Sequence, residues 1–283
     1  MKLKKIIFNC FIFIFTVTAL VSCGSPKETG DRLSEDRDIS PELEYEGRMH
    51  LDYAEEFAID NYSGGCALIS ISDGSRFLVV PEGKETPENL DEDIVVLKQP
   101  VDHIYMVATA VMDMFRAIDA MDAIRLSGTD ADGWHIEEAK AAMEAGEILY
   151  AGKYSMPDYE RILSEGCRLA IENMMITHTP EVQEQLEGFG IPVLIDRSSY
   201  ESHPLGRMEW VKLYGVLMGR EAEAEAAFKA QTETLPEISH QENTGKTVAF
   251  FYLTANGAVN VRKSSDYVPK MIEPVSYTHL TLP

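Results

Sequence analysis

Polar and aromatic side chains follow several short apolar runs of this sequence, at positions where α/β proteins bind small molecules. In an open α/β sheet, ligands bind beyond the carboxyl ends of the parallel strands. That rule selects residues directly after the runs 94–97, 123–126 and 169–171. Trp134 adds a ring for stacking, and the last third of the chain adds an amide and a cation. The candidate ligand-binding residues are Lys98, Gln99, Thr129, Trp134, Glu172, Met174, Asn256 and Arg262.

No catalytic motif accompanies these residues in the sequence. It contains no G-x-S-x-G, H-E-x-x-H, P-loop or paired C-x-x-C pattern. The seven histidines are scattered, and no set of His, Asp and Glu has the spacing of metal ligands. We interpret His203 as shaping the turn into the following helix. We therefore expect a binding protein and not an enzyme, with no cofactor and no metal held by the protein itself.

The composition is strongly acidic. There are 47 acidic and 25 basic residues among 283, which gives a formal net charge of -22. Such a chain repels phosphate backbones, and no basic stripe interrupts the acidity. Nucleic acid is excluded as an expected partner.

The first residues have the pattern of an export signal. Lys2, Lys4 and Lys5 precede an apolar run over 6–20, which ends in Leu-Val-Ser-Cys at Cys23. A basic start, a short apolar run and small residues before a cleavage point are typical of a signal peptide. We expect a signal peptide over 1–22, lipidation of Cys23, and a charged, flexible tether over 23–44.

Two cysteines, Cys66 and Cys167, lie in the part of the chain that is expected to fold. They could form a disulfide outside the cell. Because each lies next to a predicted strand, we favour two buried free thiols.

Strand and helix signals follow the tether. Short strands are predicted first, with an Asp-Gly hairpin turn at 73–74. From residue 94 onward strands alternate with helices, and this alternation favours parallel βαβ units and hence an α/β lobe over 45–205. Strands are predicted at 57–61, 67–72, 76–80, 94–97, 123–126, 169–171 and 192–195, and helices at 101–121, 136–145, 158–164 and 180–188.

A helical segment and a second set of strands come next. Residues 208–218 and 221–235 are strongly helical and define a segment over 206–236 that we expect to join two lobes. A buried strand at 247–253, a strand at 259–261 and a helix from 267 indicate the start of a second α/β lobe over 246–273.

Four segments carry a family resemblance. They are GKYSMPDY (152–159), GIPVL (190–194), RSSYESHPLGR (197–207) and NGAVNVRK (256–263). Together with the order of elements, they resemble the class III periplasmic binding proteins, which bind cobalamin, haem and ferric siderophores. The resemblance covers about 53–273 and implies two α/β lobes joined by a long helix, with the second lobe truncated in this chain.

The resemblance also implies a function. It suggests the lipid-anchored, extracytoplasmic binding component of an ABC importer, which captures a ferric siderophore or related iron chelate. Partners would be the permease, its ATPase and the membrane reached through the anchor. Lys153 and Tyr154 match a family loop that faces the ligand cleft, and Glu181, or Glu184, matches a position that docks on the permease. The alternatives are a cobalamin, corrinoid or haem receptor of the same fold, and a surface lipoprotein without a transport role.

The last ten residues, PVSYTHLTLP over 274–283, match the translation of a transposon adapter used in sequencing libraries. The match covers 275–283 codon for codon. Such a scar is excluded from reasoning about the fold. We expect the natural chain to continue past Glu273.

Overall fold

The strands and helices below come from a computed structural model that describes residues 33, 37–233, 247–248, 250–261, 267–272 and 278–279. The strands are β1 (Tyr45–Arg48), β2 (Phe57–Tyr62), β3 (Cys66–Ile71), β4 (Arg76–Val80), β5 (Ile94–Lys98), β6 (Ile104–Met106), β7 (Ile124–Ser127), β8 (Leu149–Tyr150), β9 (Gly152–Lys153), β10 (Met156–Pro157), β11 (Leu169–Asn173), β12 (Val193–Asp196), β13 (Thr247–Val248), β14 (Phe251–Leu253), β15 (Val259–Val261) and β16 (Thr278–His279). The helices are α1 (Thr109–Ala117), α2 (Glu137–Glu144), α3 (Tyr159–Ser164), α4 (Pro180–Gly188), α5 (Pro204–Met218), α6 (Glu221–Thr232) and α7 (Tyr267–Ile272).

The first sheet has the order β1-β2-β3-β4-β5. Its first four strands form an antiparallel meander, and β5 is added parallel to β4. The predicted hairpin turn is confirmed: the N–H of Gly74 donates to the carbonyl of Ile71, and Gly74 has a φ of 96°, which a glycine adopts without strain.

The second sheet has the order β12-β11-β6-β7-β8, and all of its strand pairs are parallel. This confirms the α/β class predicted from the alternation of strands and helices. Because the strands are parallel, their carboxyl ends meet at one edge of the sheet. We call the residues that follow these five strands the carboxyl edge.

The main hydrophobic core combines residues of both sheets with α1, α5 and α6. Helix α5 is buried around nearly its whole circumference. Its Trp210 is fully buried and packs edge-to-face on Phe57 of β2, with ring centroids 5.0 Å apart. A second core lies on the other face of the second sheet and includes Ile162 of α3 and Leu186 of α4.

One predicted element near the start of the parallel sheet is wrong in detail. The helix predicted over 101–121 is α1 alone, preceded by strand β6. In β6 the side chains of Ile104 and Met106 face the main core and Tyr105 faces the second core, so all three are apolar in character and buried. A strand buried on both faces has no alternation, and its residues extended the helical pattern. The strand predicted at 94–97 is present as β5, an edge strand with Val95 exposed.

The predicted helical segment contains α5 and α6, separated by Gly219 in the left-handed conformation. The strand expected over 247–253 is divided into β13 and β14, and the side chains of β14 are exposed where a buried strand was predicted. Among the described residues, no helix is long and apolar enough to cross a membrane. The predicted signal peptide, and all of the tether before residue 37 except Leu33, lie outside the described residues.

Candidate functional site

The carboxyl edge brings five loop starts together. Parallel neighbours lie about 4.8 Å apart, so five strands give an edge roughly 19 Å wide. In spatial order, the residues that follow the strands are Arg197, Met174, Val107, Gly128 and Ala151. This width suits a ligand of drug size or larger, and the edge is where α/β sheets bind ligands.

A tight hairpin formed by β9 and β10 stands at the β8 end of the edge. Gly152 has a φ of 82°, and a Cβ at this position would collide with the carbonyl oxygen of Met156, so the hairpin requires glycine. The hydroxyl of Tyr105 donates to the carbonyl of Gly152 at 2.7 Å and ties the hairpin to the sheet. The hairpin presents Lys153 exposed and Tyr154 half-buried.

Arg197 organises the opposite end of the edge. Its Nε donates to the carboxylate of Glu56 at 2.9 Å and to the hydroxyl of Ser72 at 2.8 Å. Its Nη1 lies 3.4 Å from the sulfur of Met174, and its guanidinium carbon lies 4.9 Å from the ring centroid of Tyr200. Because the guanidinium is largely buried and held on several sides, it fixes the position of the exposed Tyr200 ring.

Large apolar side chains are exposed on the segments that border this edge. Met156 on the hairpin is 71% exposed, Met175 after β11 is 46% exposed, and Tyr200 is 57% exposed. Flat rings and polarisable thioethers form adaptable apolar contacts, and Lys153 adds a positive charge. This combination is suited to an anionic ligand with flat aromatic or conjugated parts.

Glu172 lies directly beneath this surface. It is the fourth residue of β11, its side chain is 0% exposed, and neither carboxylate oxygen has a hydrogen-bond partner of ordinary geometry among the described residues. Burial raises the pKa of Glu172 from its ordinary value of 4.5 to about 8, and the nearby backbone N–H of Asn173 offsets only part of that effect. Glu172 was predicted to contact the ligand, but in this structure it does not reach the surface.

Thr129 and Met174, selected by their positions after strands, lie at the carboxyl edge, and so do Lys153 and Tyr154, which were named from the family resemblance. Thr129 contributes its backbone to the structure of this loop, because its carbonyl accepts the hydroxyl of Ser127 at 2.6 Å.

Lys98 and Gln99 are not brought to this edge. Lys98 is the last residue of β5 and Gln99 follows it, and this strand belongs to the first sheet and not to the parallel one. The Nε2 of Gln99 donates to the carbonyls of Val216 and Leu217, at 3.0 and 3.2 Å. Gln99 therefore satisfies free carbonyls in the last turn of α5, which is a structural role.

The stacking role predicted for Trp134 is wrong. Its side chain is only 7% exposed and belongs to the main core. Its indole N–H donates to the Ser127 hydroxyl and to the Thr129 carbonyl, both at 3.2 Å. A large ring near a loop is buried for its hydrophobic area more often than it is presented to a ligand.

The remaining candidates lie in a turn of the last strands, on α4 or outside the described residues. Asn256 is exposed in the turn between β14 and β15, where its side-chain amide oxygen accepts hydrogen bonds from the hydroxyl of Thr254 and from the N–H of Ala258. Cys23 and Arg262 are outside the described residues. Glu181 and Glu184 are exposed on α4, with Glu181 in its first turn.

Sequence reasoning missed Arg197 and Tyr200 as site residues. Arg197 directly follows the predicted strand at 192–195, so the rule that selected the other residues also applied to it. Met156 and Met175 gave no comparable signal, since the exposure of an apolar residue is set by tertiary packing.

Neither thiols nor metal ligands add further chemistry. Cys66 and Cys167 are free, with Cys66 buried and Cys167 half-buried, as favoured above. Burial raises the pKa of the Cys167 thiol to about 11, so it is not a thiolate at neutral pH. In the described part of the chain, no group of three or more His, Cys, Asp and Glu residues could hold a metal ion.

A cavity of about 270 Å³ lies elsewhere, between α1, α5 and α6. Met114, Val211 and Phe228 line it. We place the candidate site at the carboxyl edge, because open α/β sheets bind ligands there.

Comparison with known proteins bears on the fold. No family model matches the sequence. Two uncharacterized lipoproteins of Methanocaldococcus jannaschii are similar in sequence: MJ0878 at 23% identity, covering 95% of this chain and 71% of the relative, and MJ0872 at 22% identity, covering 95% and 72%.

Solved structures of periplasmic binding proteins share the architecture. The haem-binding protein HutB of Vibrio cholerae matches with a TM-score of 0.50 at 18% identity, covering 63% of this chain and 65% of that one. The catecholate-siderophore binding protein VctP of Vibrio cholerae matches with 0.51 at 11%, covering 66% and 64%. A possible iron-binding, periplasmic solute-binding protein of Staphylococcus epidermidis matches with 0.52 at 12%, covering 63% and 67%.

The matched regions of the two Vibrio cholerae structures span less than two thirds of their chains. At these identities the likeness establishes the fold. The chain has the α/β fold of the class III periplasmic binding proteins, and the fold predicted from the sequence is confirmed.

Proposed function

We propose that this protein is the extracytoplasmic ligand-binding component of an ABC importer, and that its ligand is a ferric siderophore or a related iron chelate. The observation that carries the proposal is the carboxyl edge, which combines Lys153, Tyr154, Arg197 and Tyr200 with exposed methionines in a fold shared with siderophore- and haem-binding proteins. Iron would arrive inside the chelate, since the described residues offer no metal-binding cluster of their own.

The chemistry of the edge supports an anionic, flat ligand. Lys153 is exposed and forms a charge-assisted hydrogen bond with any carboxylate or catecholate within reach. Tyr200 offers a ring face that Arg197 holds in place. A chain this acidic repels phosphate polymers, and nucleic acid is not among the proposed partners.

Haem is a second candidate ligand of the same site. Met156, Met175 and Tyr200 are exposed beside the edge, and thioether and phenol groups are both haem-iron ligands in proteins. The likeness to HutB, a haem-binding protein by name, points in the same direction.

We propose further that Cys23 carries a lipid anchor and that Glu181, with Glu184 as the alternative, docks on the permease. The names of the two similar lipoproteins support the anchor. The exposure of both glutamates on α4 leaves them accessible to a partner. Mass spectrometry of the membrane-extracted protein tests the anchor, and an unmodified N-terminus preceding Cys23 would exclude it.

Titration of intrinsic fluorescence with a ferric tris-catecholate complex, haem and cobalamin tests the ligand class. We expect binding of the ferric complex or of haem, and Lys153→Ala should weaken it by about 1–3 kcal/mol, as expected for loss of a charge-assisted hydrogen bond. Tyr200→Ala should weaken it by about 1 kcal/mol through lost stacking. Lys229→Ala, which removes an exposed cation from α6, is the matched control and should have no effect.

Binding of cobalamin alone would show that the ligand is a corrinoid. No response to any of the three ligands would favour the surface lipoprotein without a transport role.

A further inference from the structure

Glu172 occupies a position in which a carboxyl group is rarely left without support. Strand β11 lies between β12 and β6, and Glu172 pairs in register with Ile195 of β12. Ile195, like Val107 after β6, belongs to the second core. The carboxyl is therefore surrounded by apolar side chains, and neither oxygen has a partner of ordinary geometry within the described ranges. A charge placed there has a desolvation cost that the nearby backbone N–H of Asn173 offsets only in part.

The titratable groups that face Glu172 are acids and not bases. Burial is the main cause that raises the pKa of Tyr105 in β6 and of Tyr159 in α3. For Tyr105 the largest electrostatic contribution comes from Glu172. For Tyr159 the contribution of Glu181 is larger than that of Glu172. Further groups near these two tyrosines are Tyr150 of β8, Cys167 before β11 and Glu181 of α4. On β12, the carboxylate of Asp196 accepts a hydrogen bond from the hydroxyl of Tyr214 in the main core. His178, at the end of the turn that follows β11, is exposed. None of these groups supplies a positive charge to an ionised Glu172.

A short 3-10 turn, Met174–His178, begins two residues after Glu172, directly after β11. Ile176 is fully buried in the second core and anchors the turn. Asn173 holds its start, because its side-chain oxygen accepts from the N–H of Met175 at 2.9 Å. Short 3-10 turns have poorer hydrogen bonds than α-helices, so this turn opens at a lower free-energy cost than the strands beneath it.

We infer that Glu172 is a protonation switch, which keeps the Met174–His178 turn packed while its carboxyl is neutral and loosens the turn when it ionises. An ionised carboxylate needs water, which would enter as this turn opens. Opening displaces Met174 and Met175, which lie at the carboxyl edge. The switch itself does not depend on the identity of the ligand. That displacement of these methionines would release a ligand rests on the proposed function.

Amide hydrogen exchange of residues 174–178 between pH 6 and 9, corrected for intrinsic exchange, tests the inference on the protein without ligand. In the wild-type protein, protection should fall about tenfold per pH unit up to about pH 8, because opening is coupled to release of one proton. In Glu172→Gln, a neutral side chain of the same shape, protection should stay constant. Glu160→Gln, an exposed acid on α3, is the matched control and should behave as the wild type.

Constant protection in the wild type, or the same fall in Glu172→Gln, would overturn the inference. If Glu172→Gln does not fold, the carboxyl carbons of the wild type can be followed by NMR with ¹³C-labelled glutamate. One resonance should titrate above pH 7, and titration of every glutamate below pH 6 would equally overturn it. Both measurements are made without ligand, so failure of the proposed function leaves them unaffected.

Discussion

Glu209 in α5 and Glu172 in β11 are both 0% exposed, yet their surroundings differ completely. The Glu209 carboxylate accepts the backbone N–H groups of Asp52, Tyr53 and Ala54 at 2.8–2.9 Å, and the ammonium of Lys212 at 3.1 Å. Among the described residues, Glu172 has no comparable donors. The Glu209 carboxylate joins α5 to the loop before β2, whereas burial of Glu172 favours its neutral form.

The difference follows from what each region must do. The loop before β2 packs on a buried helix, and a second carboxylate, Glu201, binds the N–H groups of Glu55 and Glu56 and the indole of Trp210. Backbone donors that would otherwise be buried without partners are satisfied by these two acids. The carboxyl edge is the ligand-binding surface that we propose, and regions that must move are drawn from the less stable parts of a structure.

The largest effect is expected at Glu209. Glu209→Ala removes the acceptor of three backbone N–H groups and leaves the Lys212 ammonium without its nearest buried partner, which should lower the free energy of unfolding by about 3–5 kcal/mol. Urea denaturation measures this. Glu225→Ala, which removes the exposed partner of the same lysine, should cost less than about 1 kcal/mol. Equal losses in the two variants would show that the buried network contributes nothing special.

Glu172→Gln should have the next largest effect on the free energy of unfolding. At high pH this variant should be more stable than the wild type, whereas Glu209→Ala is less stable. The folded protein holds the proton up to about pH 8, whereas the unfolded chain releases it near its ordinary value of 4.5. Folded molecules bind more protons in this window, so wild-type stability falls as pH rises through it, and the fall is complete above about pH 8. Relative to the wild type, the variant should gain on the order of 3 kcal/mol between pH 4.5 and pH 8.

Urea denaturation at a series of pH values measures this gain. A constant difference between the two proteins over the whole range would show that Glu172 is ionised in the fold and that the contrast with Glu209 is mistaken.

Gly152→Ala tests the hairpin that presents Lys153 and Tyr154. The positive φ and the collision with the Met156 carbonyl should cost on the order of 2 kcal/mol of stability and weaken ligand binding as the hairpin shifts. Gly188→Ala is the matched control, because this helical glycine has open space around its Cβ and no positive φ. It should be neutral or slightly stabilising. Normal binding by Gly152→Ala would place the ligand away from the hairpin.

Most of the architecture could be predicted from the sequence, but only part of the candidate site. Antiparallel strands such as β3 and β4, and helices with clear starts such as α4 after Thr179-Pro180, were predicted because local residue types determine them. Strand β6 was missed because burial on both faces removes periodicity. Lys98 and Gln99 were misplaced because a single sheet was assumed, and which sheet a strand joins is decided by tertiary pairing.

The exposure of individual side chains was the least predictable property. Trp134 was expected to face the ligand and is buried, whereas Met156 and Tyr200 were not selected and are exposed. The lack of support for Glu172 could not be predicted either, because it depends on every group that packs around the carboxyl. Patterns of residue type indicate where strands end, but not which side chains at those ends have partners.

Replacement of Glu181 should have the smallest effect on stability. Unlike Glu209 and Glu172, this carboxylate is in contact with water. It is exposed in the first turn of α4, where a negative charge interacts favourably with the helix dipole, so Glu181→Ala should change the free energy of unfolding by less than about 1 kcal/mol. If it docks on the permease, transport into cells should fall while ligand affinity measured on the purified protein is unchanged. Glu187→Ala, on the same helix but away from its first turn, is the control for transport. Because a purely local role at the helix start predicts unchanged transport, normal uptake by the Glu181 variant would assign this acid to the helix and not to an interface.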